Sequence, residues 1–198
     1  LHVLPNRLNN PFLNRKLQRY FREVAPIQYS HRIELPDGMG NIPVPTTVFN
    51  GFYVLLHIYR HLFQEGIGLR QMLDYYYVLD KGFTVQESEE CEKLLKVLGL
   101  KNFATATMYI LKEKFGLENE NLIVRPDARR GEFLLKEIMI AGNFGNYDSR
   151  YKIVSNESEV RHFLNSMKRI TRLVAQYPSE TLWSPYFKIW HFFWRKRH

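Results

Sequence analysis

The amino-acid sequence predicts a mainly α fold, a helical bundle with a small β-hairpin or strand element near its N-terminus. Three observations carry this expectation. Apolar residues recur at three- and four-residue intervals through most of the chain. Glycine and proline punctuate these runs where helices start and stop. A Pro36-Asp37-Gly38 turn joins two neighbouring segments of strand character.

Leu1 to Pro5 reads as the end of a strand. Asn10-Pro11 then starts a helix, a capping side chain followed by proline at the first helical position. Phe12, Leu13, Leu17, Tyr20, Phe21 and Val24 keep helical spacing until Pro26, which should end the helix. Ile27 to Leu35 and Asn41 to Val44 form the arms of a hairpin, with Pro43 and Pro45 restricting the second arm to an edge. The rest reads as helix. Thr46 or Thr47 caps a helix to about Gln64, Gly66 closes it, and Gly68 starts another that ends near Gly82. Thr84 and Glu87 are spaced as a capping box, opening a helix that stops at Gly99. Further helices run from about Asn102 to Phe115, from Pro126-Asp127 to before the Gly142–Gly145 loop, and from Ser155 to about Gln176. Pro178 ends that one, and Pro185 begins a last, aromatic helix. The expected organisation is residues 1–45 as a strand, helix and hairpin leading into an α-helical domain, residues 46–198.

The chain has 198 residues, 45% of them hydrophobic and 15% aromatic, enough for a large core. Cys91 is the single cysteine, so no internal disulfide forms, no cysteine-based metal site is expected, and a cytoplasmic setting fits. No 18-residue apolar run and no signal peptide appear, so no membrane partner is expected. The net charge of +8 invites an anionic partner. Apart from Arg195-Lys196-Arg197 the basic residues are dispersed, which makes nucleic-acid binding the weakest functional reading. The chain opens on Leu1, which suggests a piece of a longer protein.

The densest group of chemically capable side chains lies in HIYRHLFQEGIGLRQMLD, His57 to Asp74. His57 and His61 share a helix face one turn apart, with Arg60 three residues after His57. Zinc would need a third ligand such as Glu65 or Asp74, and the metalloprotease pattern fails because Ile58 stands where Glu is needed. Arg60 instead favours anion binding, since a guanidinium forks two donors onto phosphate or carboxylate. Arg70 and Asp74 are spaced as an i,i+4 ion pair, which either braces the helix or lets Asp74 orient Arg70. Of Tyr75, Tyr76 and Tyr77, a ring could stack on a ligand, but a tyrosine-rich helix is more often core. Arg125, Arg129 and Arg130 gather at a helix start, and surface charge is the plainer reading. No P-loop, dinucleotide loop or nucleophile elbow is present.

At HIYRHLFQEGIGLRQMLD the chain resembles a family of uncharacterised bacterial nucleotidyltransferase-like proteins, which carry spaced histidines, a Gly-Ile-Gly-Leu-Arg corner and an Asp four residues after the Arg. LHVLPNRLNNPFLNRKLQRYF and WSPYFKIWHFFWRKR look like the flanks of the same region, so the resemblance covers most of the chain. It implies a polymerase-β-like catalytic half preceding this segment, where an Asp-x-Asp pair holds Mg²⁺ and a nucleoside triphosphate for transfer to an unknown acceptor. This chain contains no Asp-x-Asp and no such glycine loop. It is therefore expected to be the C-terminal helical part, inactive by itself and partnered by the missing N-terminal half. The resemblance implies that His57, Arg60, His61 and Arg70 bind nucleotide or phosphate, with Asp74 and Glu65 orienting. The competing reading is a non-enzymatic binding module.

Overall fold

The computed structural model describes residues 6–64, 66–141, 167–168 and 170–197. The chain is a mainly α assembly: α1 (Pro11–Ser30), a hairpin of β1 (Arg32–Glu34) and β2 (Asn41–Pro43), then α2 (Thr47–Gln64), α3 (Leu69–Asp80), α4 (Val85–Val97), α5 (Lys101–Phe115), α6 (Ala128–Ala141) and α7 (Pro178–Arg197). The hairpin pairs Arg32 with Pro43, Ile33 with Ile42 and Glu34 with Asn41. Both strands are exposed, and Asp37 takes a left-handed conformation with φ 59° in the turn between them. A two-stranded ribbon has only edges, which is why Pro43 is tolerated.

Local chemistry accounts for most helix ends. The Asn10 side chain accepts from the backbone N–H of Phe12 at 2.9 Å and of Leu13 at 3.2 Å, capping α1. At the start of α4, Glu87 N–H donates to Thr84 Oγ1 at 3.2 Å while Thr84 N–H donates to Glu87 Oε2 at 2.9 Å, a complete capping box. Gly66, with φ 94°, sends its N–H back to the His61 carbonyl at 2.8 Å and stops α2. Asp127 caps α6, accepting from Arg130 N–H at 3.0 Å.

Three expectations built on proline and helix ends fail. Helix α1 passes through Pro26 to Ser30, so Ile27 to Ser30 are helical and not strand. Pro26 and Arg22 are both exposed, so the carbonyl deprived of its donor meets water rather than a dry core. The last helix begins at Pro178 and carries Pro185 inside it. Pro178 occupies the favoured first position, and burial of Thr181 and Ser184 holds the segment helical despite Pro185. The helix expected from Ser155 falls mostly outside the described residues, as does the Gly142–Gly145 loop. Its described end lies at Thr171, where Val174 N–H to Thr171 carbonyl and Gln176 N–H to Leu173 carbonyl bonds tighten the chain into turns up to Tyr177.

One buried cluster runs through the assembly. It takes Leu17 and Phe21 from α1, Phe52, Leu55 and Leu56 from α2, Met72 and Tyr75 from α3, Leu95 from α4, Phe103 and Met108 from α5, and Leu134 from α6. Helix α2 packs on α3 and α4, and α5 packs on α3, α4 and α6. Tyr177 closes this core, its ring meeting Tyr59, Phe63 and Phe103 edge-on at 5.7, 6.1 and 5.9 Å between centroids. Cys91 is fully buried, and burial pushes its thiol up to about 12, so it serves packing rather than chemistry. No helix among the described residues is long and apolar enough to cross a membrane.

Helices α5 and α6 approach closely at Gly131. A Cβ at Gly131 would stand 2.1 Å from Tyr109 Cδ1 and 2.6 Å from its Cβ, a position that only glycine fills. Gly131→Ala should lower unfolding free energy by about 1–3 kcal/mol, although alanine favours a helix by up to ~1 kcal/mol over glycine. An unchanged or higher urea midpoint would show that α5 and α6 do not approach this closely.

Candidate functional site

The corner between α2 and α3 is built as its glycines require. Gly66 takes the left-handed conformation, and the Gly68 N–H donates to Gln71 Oε1 at 2.8 Å as α3 begins. Helical geometry then divides the candidate residues of α2 between two faces. Tyr53, His57 and His61 recur every four residues on one of them. The Tyr53 and His57 rings stack at 6.4 Å, and His57 Nε2 lies 3.1 Å from His61 Nε2. One imidazole therefore donates to the other, and both cannot hold a proton on the facing nitrogens. Partial burial first, then His61 and Arg60, lower the pKa of His57. His57 is thus held as neutral imidazole more readily than a free histidine.

Arg60 looks elsewhere. Three residues rather than four from His57, it joins Tyr59, Phe63 and Gln64 along a cavity of about 60 Å³. Across that cavity stand Arg7 and Leu8 from the N-terminal segment and Glu180, Ser184, Phe187 and Lys188 from α7. The Arg60 Nε is buried with no hydrogen-bond partner. Arg7 lays its guanidinium carbon 4.1 Å from the centre of the Phe187 ring. Burial first, then repulsion from Arg60, pulls the Arg7 pKa below its ordinary value. Arginine keeps its charge through such shifts, so two guanidinium cations confront each other here.

Glu180 does not neutralise them. It is only 4% exposed, and its two oxygens accept from the backbone N–H groups of Asn9 at 2.6 Å and Asn10 at 3.2 Å. No ion pair within 4.0 Å joins Glu180 to Arg7 or Arg60 among the described residues. Burial outweighs the two N–H donors and raises its carboxyl to about 7.

The structure brings Arg60 together with partners on α7, and His57 together with His61, but it does not unite all the predicted residues. Arg70 and Asp74 are both exposed on α3, and no ion pair or hydrogen bond joins them. Neither lines the Arg60 cavity. Glu65 lies outside the described residues. Tyr75 is buried in the core while Tyr77 is 60% exposed. Arg130 is engaged by Asp127. Sequence reasoning missed Arg7, Glu180, Ser184 and Lys188, which reach Arg60 only through contacts spanning most of the chain. The one local signal was Glu180 in the first turn after Pro178, a position where an acid complements a helix N-terminus.

Guanidinium and imidazole groups do not suit Mg²⁺, which takes oxygen ligands. Among the described residues no three His, Cys, Asp or Glu side chains are grouped to hold a metal ion. What the arrangement can do is bind an anion at Arg7 and Arg60. The chain matches no protein-family model, no curated protein and no solved structure.

The Glu180 carboxyl makes stability depend on pH. With its pKa raised from 4.5 to about 7, the folded chain binds this proton more tightly than the unfolded chain. Its contribution to stability should therefore be fully present below pH ~4.5 and be lost as pH rises to ~7, by about 3 kcal/mol in all. Urea unfolding at pH 5 and pH 8 checks this, with Glu180→Gln as the control that isolates the group. An equal pH slope in the two proteins would contradict the burial of an ionisable carboxyl at this point.

Proposed function

We propose that the chain is the helical, C-terminal part of a nucleotidyltransferase-like protein and supplies cationic groups to a phosphate-bearing substrate. In the whole protein the reaction would be Mg²⁺-dependent transfer of a nucleoside monophosphate to an acceptor. The metal would be held by carboxylates outside this chain, and the chain alone would be inactive. The resemblance at His57 to Asp74 motivates the reading. The observation that carries it is Arg60, which lines a cavity opposite Arg7 with no carboxylate paired to it among the described residues. A partly buried cation is stabilised when an anion meets it, and two of them facing one cavity suit an anionic ligand. In this reading Arg60 neutralises phosphate charge, His57 and His61 offer hydrogen-bonding nitrogens from the other face of α2, and Arg70 acts from the surface of α3.

The alternative is a non-enzymatic binding module. One observation favours it: the Arg7 and Arg60 cavity needs neither metal nor paired carboxylates to hold an anion.

Sequence upstream of Leu1 decides first, since the transferase reading needs an Asp-x-Asp pair and a Gly-Ser loop there. With them present, Arg60→Ala should weaken binding of Mg²⁺-nucleoside triphosphate by the whole protein at least tenfold. Losing a charge-assisted contact of this kind costs roughly 1.5–3 kcal/mol. Arg70→Ala should weaken it less. Titration calorimetry showing affinity unchanged in both variants would remove these residues from the site.

A further inference from the structure

The Arg60 cavity is one end of a longer cleft. Arg7, Leu8, Asn9 and Phe187 also line a second, wider space of about 380 Å³, walled by Trp183, Tyr186 and Trp190 of α7 and by Pro11 and Asn14 of α1. Arg7 stands at the junction, its guanidinium over one face of Phe187. The two compartments differ in chemistry. The inner one brings the guanidinium groups of Arg7 and Arg60 beside the carboxyl group of Glu180, which the Asn9 and Asn10 N–H groups already occupy. The outer one is built of rings. Trp183 and Tyr186 lie 5.7 Å apart and Phe187 and Trp190 5.9 Å apart, while Tyr186 and Trp190 remain 69% and 56% exposed.

From this juxtaposition we infer that the cleft between the N-terminal segment and α7 binds a small molecule carrying an oxyanion, such as a phosphate, on a flat ring. Size agrees with the division of labour. A water needs about 10–15 Å³ of such space, so the inner 60 Å³ admits a tetrahedral oxyanion but not a ring system. The outer space holds one. An oxyanion between Arg7 and Arg60 would accept charge-assisted bonds from both and remove their mutual repulsion. A planar ring would stack on the exposed tryptophan and tyrosine faces, which favour flat partners irrespective of sequence or substituent. The cleft shares only the anion-binding role of Arg60 with the transferase reading and does not depend on nucleotide transfer.

The test uses the 198-residue chain with phenyl phosphate, inorganic phosphate and phenol as separate probes, followed by calorimetry and tryptophan fluorescence. Phenyl phosphate should bind at least fivefold more tightly than inorganic phosphate, and phenol should bind least. Trp190→Ala should abolish the advantage of phenyl phosphate while leaving inorganic phosphate unchanged. Arg60→Gln should weaken both phosphates at least tenfold, and Arg60→Lys should restore part of that loss. Should Arg60→Gln fail to fold, the largely exposed Trp190 variant still decides. Equal affinity for phenyl phosphate and inorganic phosphate, phenol bound as well as phenyl phosphate, or indifference to Trp190→Ala would each overturn the two-part cleft. None of these results bears on nucleoside triphosphate binding by a longer protein, which has its own test.

Discussion

The interaction on which the site depends is the buried Glu180 carboxylate between two helix starts. It lies in the first turn of α7 and accepts the Asn9 and Asn10 N–H groups immediately ahead of α1. The positive ends of two helix dipoles thus meet one carboxyl group. Asn10 extends the junction. Its side-chain oxygen caps α1 while its Nδ2 donates to Ser179 Oγ at 2.9 Å. Residues at opposite ends of the sequence are joined here by a handful of bonds. That joint places Arg7 on Phe187 and opposite Arg60. Burying a carboxyl group in this way is costly, as its raised pKa records, yet the joint persists because it answers N–H donors that would otherwise lack partners.

The same joint explains why the cations of the cavity remain available. Had Glu180 turned to a guanidinium, the cavity would hold a structural ion pair and little else. Its oxygens are instead committed to backbone donors, and the guanidinium charge is left facing the cavity. Arg7 gains stabilisation from the Phe187 ring, and Arg60 shares the cavity wall with Tyr59 and Phe63. Helix α2 thereby presents two chemically distinct faces. One carries the coupled His57 and His61 imidazoles, and the other delivers Arg60 to a cationic cavity at α7.

Much of the fold was legible because its signals are local. The Asn10 cap, the Thr84 and Glu87 box, and the glycines ending α2, α3, α4 and α5 each act within a few residues. Proline was misread where burial decided the outcome. Pro26 stands on an exposed stretch and could be carried within α1, while Pro178 rather than Pro185 supplied the first residue of α7. The candidate site was legible only in part. His57 and His61 meet because four residues make about one helical turn, whereas Arg60, one residue short of that, turns to another neighbour. Arg7 and Glu180 are 173 residues apart in the sequence and met no pattern that links them. Arg70 and Asp74 had the spacing of an ion pair, but exposed partners in water gain little from pairing, and they remain apart.

Arg7 and Arg60 line one cavity with no carboxylate paired to either among the described residues, an arrangement we propose for binding an anion. Its most direct measurement is a crystal structure of the chain soaked in tungstate, with data collected at a wavelength where tungsten scatters anomalously. An anomalous peak is expected between the two guanidinium groups while Glu180 stays bonded to Asn9 and Asn10. Arg7 or Arg60 paired directly with Glu180, and no peak between them, would contradict it.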